Sequence, residues 1–491
     1  MAPFRVFFTP FFVPSHTIPI ADLACQFAAR GVDSTVVVTP GNGAVIQRSV
    51  DRASRAGLPV RTLHYSFPSA EAGLPEGVEN AGAVLTGDVS KVYATTDAVR
   101  GCHDRIFREH RPDAVVADFL FGWTIDTTRD LGIPLVFVHV IGAFPVMAMA
   151  RVYQHWPQAQ VAGGDRNGRF VVPHLPDRVE MVRSELPSNL MDRNATHVEN
   201  LEKRIKAQRE CFGVILNTFY ELEPAYCDLY RTMDCRRAWY VGPCTLWPKD
   251  GQEEEEAATA AKGHHCVSWL DKQATESVVY VGFGSLLHFG KQQHWEMAWG
   301  LEASGRPFLW VLKESDFTGD GEGSLPEGFE ERVRGRGLVV RGWVPQAAIL
   351  HHRATGAFVT HLGWNSLNEG LHAGLPMITW PLAFEQFLTE RLVVDILQVG
   401  VKMWDGFRSS VPASDDAQRA LVSGEAISRV VGQFSPGEKE VEGMRKRAKE
   451  YGAMIRAAVR ESGSSYRELT DLIDGLKAYR PYGGRMAPID R

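Results

Sequence analysis

Apolar runs of strand length alternate with segments of helical period along most of the chain, the pattern of parallel sheets covered by helices. Arg5 to Phe8 reads as a first strand, and Pro19 is expected to open a helix with Ile20, Leu23, Ala24, Phe27 and Ala28 on one face before Gly31 ends it. Val36 to Val38, Ala114 to Ala117 and Leu135 to Val138 are further buried strands. The apolar stretch Ile133 to Ala150 is broken by Pro134, His139 and Pro145, so it reads as buried strand and loop and not as a membrane span. From Trp247 to His265 the periodicity gives way to an acidic, polar run, expected to be a linker. Beyond it the alternation restarts, with strands at Val278 to Val281, Leu338 to Val340, Ala357 to Thr360 and Met377 to Thr379. The tail reads as a charged helix over Glu438 to Arg460, a break at Gly463, and a capping box at Ser465 and Glu468 leading into the apolar stripe Leu469, Leu472, Ile473, Leu476.

Length agrees with this division, since 491 residues suit two domains, each with its own core. A net charge of −6 gives no basic face for nucleic acid, and small-molecule or protein partners are favoured. Seven cysteines with no CxxC pair fit a reducing compartment. The opening MAPFRVFFTPFFVP lacks the layout of a signal peptide. A cytoplasmic monomer without membrane segments is the expectation.

Ligands of open parallel sheets bind at the carboxyl ends of the strands, which directs attention to the residues there. His16 follows the first strand and Asp118 follows Ala114 to Ala117. A histidine oriented by a carboxylate is the usual general base; the competing reading makes each residue a helix cap. In the second half, His361-Leu362-Gly363-Trp364-Asn365-Ser366 opens a helix after a strand, an arrangement suited to a diphosphate. Glu369, one turn along, shares the face of Asn365 and Ser366 and suits ribose hydroxyls. Gly282-Phe283-Gly284-Ser285 offers further backbone donors, and Glu385-Gln386 suits sugar hydroxyls. No Walker sequence, dinucleotide fingerprint or Asp-x-Asp pair is present, and the adjacent pairs His264-His265 and His351-His352 read as surface or structural, so no metal and no cofactor are expected.

Trp343 to Gln386, with WVPQAAILHH and GAFVTHLGWNSLNEGLHAGLPMITWPLAFEQ, resembles the signature box of the plant UDP-dependent glycosyltransferases of family 1. The likeness extends through the His16 loop, Asp118, Asn217 to Pro224, Val241-Gly242-Pro243 and Gly284-Ser285. It implies a GT-B fold, two facing α/β Rossmann-like domains with parallel sheets. The expected division is an acceptor-binding domain over 1–246, a linker over 247–265, a UDP-sugar-binding domain over 266–460, and a helix over 461–491 that packs back on the first domain.

The resemblance implies that Trp343 stacks on uracil beside Val344 and Gln346, and that Glu369 binds the ribose. Ser285, His361, Gly363, Asn365 and Ser366 would hold the diphosphate, with Trp364, Glu385 and Gln386 at the sugar. His16 becomes the base and Asp118 its partner. Phe12, Phe119, Phe121, Phe144 and Phe384 are the candidates for an apolar acceptor pocket, with core packing the alternative for each. The implied reaction is inverting, metal-independent transfer from a UDP-sugar, with the final Gln386 associated with glucose, to a flavonoid, terpenoid or hormone. The alternatives are an inactive nucleotide-sugar binder, UDP-galactose or UDP-xylose as donor, and C-, N- or S-acceptors. Two departures stand out: Ser15 where most relatives have glycine, and Glu385 where many have aspartate.

Overall fold

Two parallel sheets organise the computed structural model, which describes residues 3–71, 73–79, 95–161, 165–191, 195–233, 237–247, 263–284, 286, 288–313, 325–410 and 420–480. The strands are β1 (Arg5–Thr9), β2 (Asp33–Val38), β3 (Val60–His64), β4 (Ala114–Asp118), β5 (Leu135–His139), β6 (Arg169–Val172), β7 (Val179–Val182), β8 (Gly213–Leu216) and β9 (Ala238–Tyr240). They continue with β10 (Val278–Gly282), β11 (Phe308–Leu312), β12 (Gly337–Arg341), β13 (Thr355–Thr360), β14 (Met377–Thr379) and β15 (Gly400–Lys402).

In the first unit the order is β3-β2-β1-β4-β5-β8-β9, with every pairing parallel. Strands such as Ala114–Asp118 are buried at every position because helices cover both faces, which is why they read as unbroken apolar runs. The register sets Val6 beside Ala114 and Asp118 beside Val138, so β1 and β4 end on the same rim. The first helix spans Pro14–Ala28. Pro14 opens it and Pro19 lies inside, a correction to the expected start: the prolyl ring fixes a φ that suits any helical position, and Pro14 is the one that meets the helix terminus.

Helix Ser464–Ala478 places Leu469, Leu472, Ile473 and Leu476 in the core of this unit. The expected capping box does not form. Gly463 is the N-cap, the Ser465 hydroxyl donates to the Gly242 carbonyl at 2.6 Å, and Glu468 pairs with Arg231. Tertiary partners have taken both side chains that the local motif would have used.

Ile133 to Ala150 divides into β5 and a helix, Ala143–His155, whose first turn is met by the Glu223 carboxylate. Its oxygens accept from the backbone N–H of Ala143 at 2.8 Å and of Phe144 at 2.6 Å. Burial outweighs these bonds and pushes the carboxyl up to about 7 from 4.5. A raised folded-state pKa contributes stability that is complete below 4.5 and is lost as the pH rises through about 7. The Tm of the wild type is therefore expected to fall across that interval, and in Glu223→Gln this part of the pH dependence should vanish. Parallel slopes for the two proteins in thermal melts would refute the assignment.

In the second unit the order is β12-β11-β10-β13-β14-β15, again wholly parallel, with β6 and β7 as a separate antiparallel hairpin. The compact units are 1–146 with 193–247 and 457–491, and 147–192 with 248–456. Residues 147–192, expected with the first domain, thus belong to the second unit. Ion pairs and hydrogen bonds from Ser184 and Glu185 to Arg391, Arg408 and Ser410 hold them there. Most of the expected linker, 248–262, lies outside the described residues. Among the described residues no helix is long and apolar enough to cross a membrane.

Candidate functional site

In the first unit, His16 sits in the first turn of helix Pro14–Ala28 and Asp118 is the last residue of β4. The His16 Nδ1 and Asp118 Oδ2 atoms are 2.7 Å apart; the Asp118 side chain is 2% exposed and that of His16 is 21% exposed. The other Asp118 oxygen, Oδ1, accepts from the Leu120 N–H at 3.0 Å. The carboxylate is thereby fixed at both oxygens. With Nδ1 donating to Asp118, Nε2 carries the lone pair, the arrangement of a base held in one tautomer. The N-cap is Val13 and makes no side-chain cap, so the helix-cap alternative for His16 is set aside.

His139, at the end of β5, packs beside this pair with its ring 4.3 Å from that of Phe119, and its Nε2 lies 2.8 Å from Gln208 Oε1. Burial lowers its pKa to about 4. A neutral imidazole there adds no competing charge beside Asp118.

In the second unit, three loops at the carboxyl ends of β12, β13 and β14 carry the candidate residues. After β12, Trp343 is 77% exposed, an unusual state for an indole. Gln346 opens the next helix; its Nε2 donates to Glu369 Oε2 at 2.5 Å, and its Oε1 accepts from the Tyr280 hydroxyl at 2.9 Å. Burial raises the Glu369 pKa, opposed by the Gln346 bond. After β13, the helix Trp364–His372 begins at Gly363 with no side-chain cap, so its N-terminus carries the positive end of the helix dipole without a capping side chain.

His361 stands at that terminus with a buried Nδ1 that has no partner among the described residues. Desolvation, aided by nearby Lys313, lowers its pKa to about 4, so without a ligand it offers a hydrogen bond and not a charge. Side chains are excluded around it. A Cβ on Gly363 would lie 2.6 Å from its Nε2, and one on Gly284, at φ 65°, would lie 2.8 Å from its Cε1. Leu362 and Phe384 adopt φ of 64° and 56°, left-handed strain of the kind that collects at ligand sites.

Residues 235–395 match the family model described as UDP-glucoronosyl and UDP-glucosyl transferase. The chain is 39% identical over 481 residues to the UDP-glucose flavonoid 3-O-glucosyltransferase 7 of Fragaria ananassa, covering 96% of each. It is 36% identical over 485 residues to the soyasapogenol B glucuronide galactosyltransferase of Glycine max, covering 96% of this chain and 95% of the relative. The chain belongs to the plant UDP-glycosyltransferases. The crystal structure of Glycyrrhiza uralensis UGT73P12 with glycyrrhetinic acid 3-O-monoglucuronide superposes with a TM-score of 0.85 at 34% identity, covering 97% of this chain and 96% of that one. The fold of this glycosyltransferase is accordingly of the GT-B class.

Several side chains of the glycosyltransferase differ from expectation. Trp364 is 3% and Val344 8% exposed, so both side chains serve the core. Gln386 is 4% exposed, and its Oε1 accepts from the N–H groups of Leu382 at 2.9 Å and Ala383 at 3.0 Å. Phe121 and Phe144 have no exposed surface and Phe12 has 2%, so these pack the core; Phe119 and Phe384 are partly exposed. Asn365, Ser366 and Glu385 are also partly exposed, and Ser285 lies outside the described residues.

His264 and His265 do not diverge: their rings stack at 4.6 Å, and with Cys266 their donor atoms lie within 4.8 Å of one another. His264 Nδ1 caps the Cys266 N–H at 3.3 Å, and burial pushes the Cys266 thiol up to about 11. Sequence reasoning missed Tyr280 and Lys313. Tyr280 sits within an apolar strand, and nothing in its spacing shows which face it takes.

Proposed function

We propose that this enzyme transfers glucose from UDP-glucose to a hydroxyl of a small apolar plant metabolite, with inversion and without a metal. The observation that carries the reading is the His16–Asp118 pair, a histidine oriented through one nitrogen with the other left for a proton. The acceptor hydroxyl gives its proton to His16 Nε2 as its oxygen bonds to the anomeric carbon, and the bond from that carbon to the diphosphate breaks. UDP leaves, and an α-linked donor yields a β-glycoside.

The first unit supplies the base and acceptor contacts, with Phe119 as an apolar wall. The second unit supplies the donor contacts. Trp343 stacks on uracil, Gln346 and Glu369 take the nucleoside, and His361, Asn365, Ser366 and the helix N-terminus hold the diphosphate, with Ser285 assigned there from sequence alone. Glu385 and Gln386 take the sugar. The uncapped helix and the absence of an Asp-x-Asp pair support charge stabilisation by N–H groups, without a bridging cation. Flavonoid and soyasapogenol-type acceptors are favoured because the Fragaria ananassa and Glycine max relatives are named for them.

The test is UDP release with UDP-glucose, UDP-galactose and UDP-xylose against flavonoid, terpenoid and phenolic acceptors, in EDTA. Acceptor-dependent release, greatest with UDP-glucose and unchanged by EDTA, is expected. Tight UDP binding with no release from any acceptor would instead mark a nucleotide-sugar binder.

A further inference from the structure

Four charged side chains close a ring in the interior of the second unit. Glu185 follows β7; Glu390 and Arg391 end the helix Gln386–Arg391; Arg408 lies beyond β15. Arg391 reaches Glu185 at 2.6 Å and Glu390 at 3.0 Å, and Arg408 reaches the same two carboxylates, each at 2.5 Å. Their side chains are 3% (Glu185), 0% (Glu390), 6% (Arg391) and 12% (Arg408) exposed. The ring is neutral overall, and each member meets two of opposite sign.

We propose that this ring is a clamp that positions the sugar-recognising end of the donor site, an inference that rests on the donor reading above. Gln386 opens the helix Gln386–Arg391, and Arg391 stands where that helix passes into a π-helical turn over Leu392–Ile396. The ring holds the Arg391 end of the helix, and the Thr379 hydroxyl of β14 ties Glu390 to the sheet at 2.6 Å. The near end is set by Gln386, whose Oε1 gathers the Leu382 and Ala383 N–H groups beside the strained Phe384. Glu385 and Gln386 thus stand on a segment fixed at both ends.

Apolar residues would hold such a core equally well, because desolvating charges offsets their attraction. Paired guanidinium forks do something that apolar packing does not: they fix direction as well as distance. One carboxylate comes from residues 147–192, so that segment completes the clamp. The nucleotide-facing residues Trp343, Gln346, His361 and Glu369 lie on other loops, and loosening the ring should spare them.

The experiment uses full-length Glu185→Gln and, as a milder change, Thr379→Val, which removes only the tie to β14. Calorimetry gives Kd for UDP-glucose, UDP-galactose and UDP; melts give Tm. Both variants are expected to bind UDP as the wild type does, to bind UDP-glucose about tenfold more weakly, and to lose preference between the epimeric sugars. Sugar preference retained in both variants overturns the clamp, as does a loss of UDP and UDP-glucose affinity in equal proportion alongside a lower Tm. A wild type that binds UDP-glucose no differently from UDP removes the sugar reading itself, and the clamp falls with it.

Discussion

His16→Ala is expected to lower turnover by about 10²–10⁴-fold, the contribution of a positioned general base, while leaving the Kd for UDP unchanged. The separation follows from the geometry. His16 is held by Asp118 in the first unit, whereas every side chain assigned to UDP is in the second. Asp118→Asn tests the same arrangement from behind. An asparagine keeps the shape but no longer dictates that Nδ1 carries the proton, so kcat should fall with KM for the acceptor nearly constant. Single-turnover measurements with UDP-glucose and one accepted flavonoid would show both effects. A His16→Ala enzyme that loses UDP affinity and turnover together would place His16 in the structural framework.

Glu369→Gln is expected to weaken UDP binding by about 10–100-fold, the loss of charge-assisted hydrogen bonds to two ribose hydroxyls. The same substitution should raise the Tm of the unliganded enzyme at neutral pH. Burial raises the pKa of Glu369, so its stabilising contribution belongs to the protonated form and is lost as the pH rises through the folded-state value. A neutral amide does not incur that loss and still accepts from Gln346. Affinity by calorimetry and Tm across pH 5–8 decide the matter. Weaker binding with a lower Tm would mean that Glu369 stabilises the unliganded fold and is not held there for a ligand.

The strand–turn–helix arrangement that carries the proposed donor residues was legible because it is local. A strand followed by His361 and a turn containing Gly363 must deliver a helix N-terminus within a few residues, and Glu369 one turn along shares its face. The two sheets were legible for a similar reason: strands buried on both faces must be apolar throughout.

What resisted the sequence was everything that depends on residues distant in the chain. Asp118 lies 102 residues from His16, and spacing alone left helix capping as a competing account. Trp364, Val344, Phe121 and Phe144 look like ligand residues by type, but packing decides whether an aromatic or branched side chain has surface to offer. Ser465 and Glu468 had the right spacing for a capping box and found stronger partners in Gly242 and Arg231.

The amino-acid sequence by itself determined two parallel α/β sheets and a glycine-containing turn that leads from a strand into a helix N-terminus, because periodicity and turn chemistry act over a few residues. Only the tertiary structure decided that residues 147–192 join the second unit and that Glu185, Glu390, Arg391 and Arg408 close into one ring. Isolated charges look alike along a chain, and burial is tolerable only when partners from distant segments arrive together.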